Sequence, residues 1–214
     1  MPRRFTESEK SQIREALEAA GRELMGRLGV RRTSIDELAS RAGISKGSFY
    51  RFFSGKEALA LHLLAEWEEE FHKRIEARFR NSRPVGAQAV ARLLAEVMLD
   101  DAPALMADSG MERLFDSSEI LYLTRRAEPE EVRRMDDQDL RLYRTLQPRL
   151  RDAGLFPIAE EKVIVAALRV VSEGGTMSRP GPGGSLEGEH YRAGTVKLLE
   201  GLLTVTFREQ EGEG

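Results

Sequence analysis

The chain has 214 residues, of which 41% are hydrophobic and 32% charged, and its formal net charge is −3. This composition is typical of a globular protein and excludes extensive disorder. The absence of cysteine excludes disulfide frameworks, thiolate metal sites and thiol nucleophiles. No apolar run approaches the roughly 18 residues of a spanning helix. The first nine residues turn acidic where a signal peptide would turn apolar, so we expect a soluble cytoplasmic protein.

Charge is distributed unevenly along the chain. Residues 1–54 carry 11 Lys/Arg against 7 Asp/Glu, whereas residues 55–214 carry 22 against 29. A basic first segment on an acidic remainder indicates that one end of the chain meets an anionic partner.

Hydrophobic spacing in the first 80 residues predicts four helices. Apolar residues at spacings of three and four form a stripe from Ile13 to Leu28, a second over residues 35–42 and a third from Leu59 to Phe79, with a short helical segment between the last two at about 45–53. A Ser/Thr residue followed three positions later by glutamate precedes each stripe, which is the pattern of a capping box. These pairs are Thr6 with Glu9, Ser34 with Glu37, and Ser54 with Glu57.

The remaining residues also predict helices, at about 85–100, 103–115, 118–126, 129–153, 158–176 and 189–208. Pro148 predicts a kink or break in the fourth of these. The fifth is apolar on nearly every side and should be buried. Six glycines and two prolines between residues 174 and 188 predict a flexible loop. No strand alternation or internal repeat is apparent, so we expect an all-α fold.

The segment from Thr33 to Glu57 carries the most informative pattern. Gly43 can adopt the left-handed conformation that ends one short helix, Ile44 fills the corner, and Ser45 can cap the next helix. This pattern predicts a helix-turn-helix.

The second helix of this pair divides into two faces when it is wound at about 100° per residue. Phe49, Phe52 and Phe53 share the face that would pack on the preceding helices. The opposite face would suit a major groove, and it carries Lys46, Gly47, Tyr50 and Arg51. Residue chemistry alone fits a groove-reading helix and a helical corner with a solvated basic face equally well.

From about Phe5 to Leu59 the sequence resembles the tetracycline-repressor (TetR) family of bacterial transcription regulators, through TSIDELASRAGISKGSFYRFF and SGKEAL. The resemblance implies a three-helix DNA-binding domain over residues 1–54. Residues 55–214 would form an all-helical body that binds a small effector and makes a homodimer through its last two helices. The resemblance places Ser45, Lys46, Gly47, Ser48 and Tyr50 in the recognition helix. It places Thr33, Ser34 and Lys56 at the DNA backbone, where helix N-termini favour phosphates.

Two further sets of residues are assigned from their chemistry and position. The dimer interface is expected on the last two helices, at Val163, Leu168, Val171, Leu199, Leu202 and Leu203. A mostly apolar effector cavity is expected in the body, lined by Trp67, Phe71, Met98, Met111, Phe115, Tyr122, Arg125 and Tyr143. Such residues at helical spacing are more often plain core than ligand contacts.

These observations predict a sequence-specific DNA-binding regulator that is not an enzyme and uses no cofactor or metal. We expect a repressor that binds a near-palindromic operator as a homodimer, is released by a small effector and has no membrane partner. The alternative is a helical ligand-binding protein or enzyme that keeps the head only as scaffold. A di-metal version of that alternative would use the Glu-x-x-His steps at Glu69/His72 and Glu187/His190, although the first fits a solvated face and the second begins in the glycine-rich loop.

Overall fold

A computed structural model describes residues 5–177 and 188–210 of the chain. Its helices are α1 (Glu7–Leu28), α2 (Ile35–Arg41), α3 (Lys46–Phe49), α4 (Lys56–Ser82), α5 (Gly86–Glu96), a π-helical segment (Val97–Asp101), α6 (Ala102–Asp108), α7 (Ser117–Thr124), α8 (Pro129–Asp152), α9 (Glu161–Met177) and α10 (Gly188–Thr206). Two three-residue strands complete it, β1 (Leu155–Pro157) and β2 (Phe207–Glu209). The predicted all-α class is confirmed.

The first two predicted capping boxes are present and explain where α1 and α2 begin. The Thr6 and Ser34 hydroxyls accept from the N–H groups of Glu9 and Glu37, and both glutamates bond back to the cap. The third prediction is wrong. α4 begins at Lys56, one residue later than Ser54 would require, and the Glu57 carboxylate accepts from the Tyr122 hydroxyl instead.

Two prolines, Pro103 and Pro148, were expected to interrupt helices, but neither does so. α5, the π-helical segment and α6 form one continuous helical run, although Pro103 was expected to begin a new helix. The Ala102 N–H donates to the Val97 oxygen, five residues back, just before the proline that has no N–H to give. α8 likewise continues through Pro148 to Asp152, so no break occurs there.

The prediction of no strands is wrong at one small sheet. β1 and β2 pair antiparallel, with Leu155 opposite Glu209 and Pro157 opposite Phe207. The strands are too short for an alternation pattern, and about 50 residues separate them in sequence. The Glu209 carboxylate also accepts from the Ala87 N–H at 2.5 Å, which places an anion at the start of α5.

The glycine-rich segment begins later than predicted. α9 continues through Gly174 and Gly175 to Met177, and the remainder of the predicted loop, with Glu187, lies outside the described residues. α9 is also less covered than predicted, because Val163 and Val170 are 53% and 70% exposed.

The chain divides into two compact units that each have a hydrophobic core. Unit 1 comprises residues 1–68 and 105–132, and unit 2 comprises residues 69–104 and 133–214. The core of unit 1 joins α1 to α4 with residues before and within α7, among them Met111, Leu114 and Leu123. The core of unit 2 joins α5, α8, α9, α10 and the small sheet. The predicted functional boundary after residue 54 concerns DNA and effector binding, and it stays a prediction.

Candidate nucleic-acid interface

The helix-turn-helix is formed by α2, a tight turn and α3. Gly43 ends α2 with a φ of 69°, a backbone conformation that favours glycine. The Ile44 N–H then donates to the Ala39 oxygen at 2.9 Å, so the turn satisfies carbonyls at the end of α2. Ser45 begins α3 by accepting from the Ser48 N–H at 3.2 Å.

α3 and the turn after it present the two predicted faces. Phe49 is fully buried and Phe53 is 7% exposed, with ring centroids 6.1 Å apart. The side chains on the other face are all exposed, as the helical wheel predicts, and they are Lys46, Gly47, Tyr50 and Arg51. Aromatic packing therefore anchors the segment, while its polar face stays open to a ligand.

The outward side chains have weak partners on the surface of unit 1. The Lys46 ammonium lies 2.8 Å from an Asp36 carboxylate oxygen, and this hydrogen bond raises the pKa of Lys46. Arg51 lies over the Phe5 ring, with its guanidinium carbon 4.8 Å from the ring centroid. Exposed ion pairs contribute little to stability, so a phosphate or a base edge can replace Asp36 at small cost.

Thr33 and Ser34 form hydrogen bonds within the protein at the start of α2, and their phosphate contacts stay a prediction. Thr33 is 1% exposed, and its hydroxyl donates to the Gly29 oxygen at 2.9 Å. The Ser34 hydroxyl donates to the Glu37 carboxylate at 2.7 Å, a hydrogen bond that lowers the pKa of Glu37.

Lys56 is turned toward the protein backbone. Its ammonium donates to the carbonyl oxygens of Arg31 and Thr33, at 3.0 and 2.9 Å. Lys56 therefore holds the loop before α2 in place, a role that its position at the start of α4 did not predict. Its phosphate contact stays a prediction.

Sequence reasoning missed Glu119, which holds the same loop from the opposite side. This buried carboxylate of α7 accepts from the Val30 and Arg31 N–H groups at 2.9 and 3.2 Å and from Arg31 Nε at 2.9 Å. About 88 residues separate the partners in sequence, so no local pattern identifies them. The one sequence signal is the position of Glu119 directly before the apolar run Ile120–Leu123.

The predicted effector-cavity residues lie in both units, mostly as core. In unit 1, the Trp67 and Phe115 rings lie 4.5 Å apart, and Met111 is 2% exposed. Two of the predicted cavity residues of unit 1, Tyr122 and Arg125, are polar. The Tyr122 hydroxyl donates to Glu57 at 2.5 Å, which raises the pKa of Tyr122, and Arg125 is exposed.

In unit 2, Phe71, Met98 and Tyr143 pack with the core, where burial raises the pKa of Tyr143. A separate open groove of about 450 Å³ lies between α5 and α10, with Ala95, Ala193 and Val196 among its lining residues. None of the predicted effector-binding residues lines this groove.

The predicted dimer residues divide into accessible and inaccessible ones. Leu199 and Leu203 are 0% and 2% exposed within the core of unit 2, so they cannot meet a partner unless that core opens. Leu168 and Val171 are partly buried against the same core, and Leu202 is partly exposed. Val163 is exposed. Among the described side chains of α9 and α10, the large apolar ones that are exposed are Val163, Val170, Leu198 and Val205.

Comparison with known proteins supports the assignment of the N-terminal segment. Residues 17–63 match the model of the tetR family of bacterial regulatory proteins, and these residues include the whole helix-turn-helix. No curated protein matches the chain.

Solved structures of similar fold cover nearly the whole chain. The SmeT repressor of the Stenotrophomonas maltophilia multidrug efflux pump SmeDEF is 19% identical, with a TM-score of 0.52 over 91% of this chain and 90% of SmeT. The fatty acid degradation regulator FadR from Bacillus halodurans is 15% identical, with a TM-score of 0.54 over 94% and 96%. A TetR/AcrR-family regulator from Thermobifida fusca YX-ER1 is 20% identical, with a TM-score of 0.58 over 87% and 96%. At these identities the likeness establishes the fold alone.

An open basic helix face on a helix-turn-helix, within residues that match a family of bacterial regulatory proteins, is the arrangement of a helix-turn-helix DNA-binding segment. More particularly, residues 17–63 are similar to the tetR family of bacterial regulatory proteins, and the fold of the chain is similar to that of solved TetR-family regulators. None of the helices among the described residues is long and apolar enough to cross a membrane.

Proposed function

We propose that the protein is an effector-responsive repressor that binds a near-palindromic operator as a homodimer. The observation that carries the DNA-binding part is the outward face of α3, where Lys46, Tyr50 and Arg51 are exposed above buried Phe49. Lysine and arginine recognise guanine in the major groove, and the glycine at position 47 lets the helix approach closely. SmeT, a protein of similar fold, is a repressor, which supports repression here.

Selection of bound duplexes from a random DNA pool tests this proposal. A two-fold dimer presents its recognition helices roughly 34–36 Å apart, or a multiple of that, so we expect a palindromic motif with matching half-site spacing. The logarithm of affinity should fall linearly with the logarithm of salt concentration, with a slope of about −0.9 per phosphate contact. Absence of any motif above the nonspecific background would contradict the proposal.

Lys46→Ala tests the docking of α3. We expect a loss of about 1–3 kcal/mol on the selected operator and a weaker base preference at one position of each half-site. Lys73→Ala is the matched control, because Lys73 is also exposed and paired with carboxylates but lies on α4, outside the predicted interface. Equal effects of the two variants would mean that only total charge matters.

The homodimer part of the proposal rests on the exposed apolar residues of α9 and α10. Contiguous exposed apolar surface marks interaction sites. Symmetric pairing of the two helices with their mates would form a four-helix bundle that covers these residues.

A Leu198→Glu, Val205→Glu double variant tests this interface. Both side chains are more than half exposed in the protomer, so the substitutions should leave its core intact while placing charges at the interface. We expect a monomer in sedimentation or sizing experiments. Val85→Glu is the control, since Val85 is 77% exposed at the start of α5. A double variant that stays dimeric would place the interface elsewhere.

A small apolar effector is proposed because SmeT, a fold relative, has been solved in complex with triclosan. A thermal-shift screen of small apolar compounds, triclosan among them, identifies candidates. A compound that stabilises the protein should weaken operator binding by about 5–150-fold, the range of a typical coupling free energy. If several compounds stabilise the protein and none changes operator affinity, effector control is wrong.

A further inference from the structure

The loop between α1 and α2 is held from both sides of its backbone. On one side, the Glu119 carboxylate accepts from the Val30 and Arg31 N–H groups. On the other side, the Lys56 ammonium donates to the Arg31 and Thr33 oxygens. The peptide groups of Arg31 are therefore fixed through both their N–H and their C=O. Because α2 begins at Ile35, this loop sets where the helix-turn-helix begins.

Glu119 is tightly bound to its position. The residue is 3% exposed, and a buried carboxylate is stable only where donors surround it. Three donors do so, the two backbone N–H groups and Arg31 Nε at 2.9 Å. The Arg31 guanidinium also donates to the Ser118 hydroxyl at 2.8 Å, which gives α7 a second bond to the same side chain. A displacement of α7 must therefore move the loop or leave buried donors without partners.

A second link connects α7 to α4, whose Lys56 holds the other side of the loop. The Tyr122 hydroxyl donates to Glu57, the residue that follows Lys56 on α4. The Arg31 guanidinium carbon lies 6.0 Å from the Tyr122 ring centroid. α7, the loop and the start of α4 therefore form a closed ring of contacts within unit 1.

We propose that Glu119 is a positioning residue for DNA binding, through which α7 sets the start of α2, and that displacement of α7 lowers DNA affinity. This inference rests on the proposed function and deepens it by naming the element that regulates the helix-turn-helix. Release of Val30 and Arg31 frees the loop on one side only, so the start of α2 can shift while Leu38 and Ala39 stay packed in the core of unit 1. α7 is thus the step at which a signal reaches the DNA-binding residues.

Glu119→Gln in the full-length chain tests the proposal. The substitution keeps the size of the side chain but removes its charge and replaces one acceptor oxygen with an NH₂ group. Either the two backbone N–H groups, which share Oε2, or Arg31 Nε then faces a donor. Glu112→Gln is the matched control, because Glu112 is exposed in the same unit and the same charge is lost. Three quantities are compared with the unsubstituted protein: operator affinity, its salt dependence, and hydrogen exchange at the Val30 and Arg31 amides.

We expect Glu119→Gln to accelerate exchange at both amides and to weaken operator binding about tenfold, the effect of losing hydrogen bonds to a charged group. The salt dependence should also become shallower by about 0.9 per lost phosphate contact. A merely structural role would lower the folded fraction without changing that slope. Glu112→Gln should match the unsubstituted protein in all three quantities.

Tyr122→Phe provides a second variant in case Glu119→Gln does not fold. It removes the hydroxyl that bonds Glu57 and keeps the aromatic ring, so we expect a smaller loss of operator affinity in the same direction.

Two outcomes overturn the proposal. If exchange at Val30 and Arg31 accelerates while operator affinity and salt slope stay unchanged, the loop does not control DNA binding, and the proposed function stands without Glu119. If the unsubstituted protein selects no operator, the proposed function fails and the inference fails with it.

Discussion

Gly26→Ala should destabilise the protein because α1 packs directly on the backbone of the turn at Gly110. A Cβ on Gly26 would lie far inside van der Waals contact with the Gly110 carbonyl oxygen, 3.1 Å from its carbon and 3.5 Å from the Met111 Cα. All three atoms belong to backbone, so no side-chain rotation relieves the contact. The turn or the helix must shift by roughly 1 Å, which overpacks a region that has little free volume.

Two opposing terms determine the size of the effect. Alanine in a helix interior is more favourable than glycine by about 0.8–1.0 kcal/mol. Overpacking costs about 1–3 kcal/mol, and a backbone–backbone contact belongs at the upper end. The net loss is therefore about 2 kcal/mol, which corresponds to a decrease of about 4–8 °C in the unfolding midpoint for a chain of this length.

Gly21→Ala is the control for this prediction, because it adds the same methyl group to the same helix. Its Cβ would meet the Leu63 and Leu59 side chains at 2.9 and 3.1 Å, and flexible side chains can move. We expect a midpoint within about 2 °C of the unsubstituted protein, since helix propensity offsets the rearrangement. Thermal unfolding followed by circular dichroism at one protein concentration measures both variants. If Gly26→Ala unfolds at or above the midpoint of Gly21→Ala, the packing of α1 on the Gly110 turn is wrong.

Three further predictions concern single interactions. Burial alone would raise the pKa of Asp139, but hydrogen bonds from His72 and Arg169 outweigh burial and hold that pKa below its usual range. A lowered folded-state pKa stabilises the protein above the unfolded-state value of about 3.9, and this contribution disappears as pH falls through the folded-state value. Urea midpoints between about pH 2 and 6 should therefore depend less on pH in Asp139→Asn than in the unsubstituted protein; equal slopes would contradict this. Ser45→Ala removes the acceptor for the Ser48 N–H and should lower the free energy of unfolding by about 0.5–2 kcal/mol, whereas Ser40→Ala, at an exposed position on α2, should be near neutral. Glu209→Gln should lower the unfolding free energy by about 0.3–1 kcal/mol, since its carboxylate lies at the start of α5; an unchanged urea midpoint would rule out this stabilisation.

Local sequence predicted the helix-turn-helix because all of its determinants lie within about 25 residues. A cap, a glycine at the turn and a three-aromatic face each act on near neighbours, and the structure has each of them where the sequence placed it. The same reasoning did not predict the contacts that Thr33 and Lys56 make within the protein. Their positions at helix starts are correct, but their polar atoms bond to Gly29, Arg31 and Thr33 oxygens of the loop before α2.

Hydrophobic periodicity cannot predict contacts between segments that are distant in sequence. The pairing of β1 with β2 joins residues about 50 positions apart, and each strand is too short for alternation to be visible. Glu119 and the Val30–Arg31 loop are further apart still. A buried glutamate looks like a solvated one in sequence, since only the fold brings three donors to its carboxylate.

The sequence could not distinguish cavity-lining residues from ordinary core residues. Large apolar residues at helical spacing fill cores by default, and Met111 and Tyr143 are buried in the cores of their own units. Their presence therefore cannot identify a cavity, because a packed core and a lined cavity require the same residue types.

For the interface, the exposure of each side chain in the protomer separates residues that can contact a partner from residues that are already buried. The sequence analysis assigned Leu199 rather than Leu198 to the interface, but Leu198 is 59% exposed and Leu199 is fully buried. A side chain that the protomer already covers contributes to its own stability, whereas an exposed neighbour on the same helix still has apolar area to bury. The exposed members of α9 and α10, rather than the most hydrophobic ones, are therefore the residues whose substitution should separate association from folding.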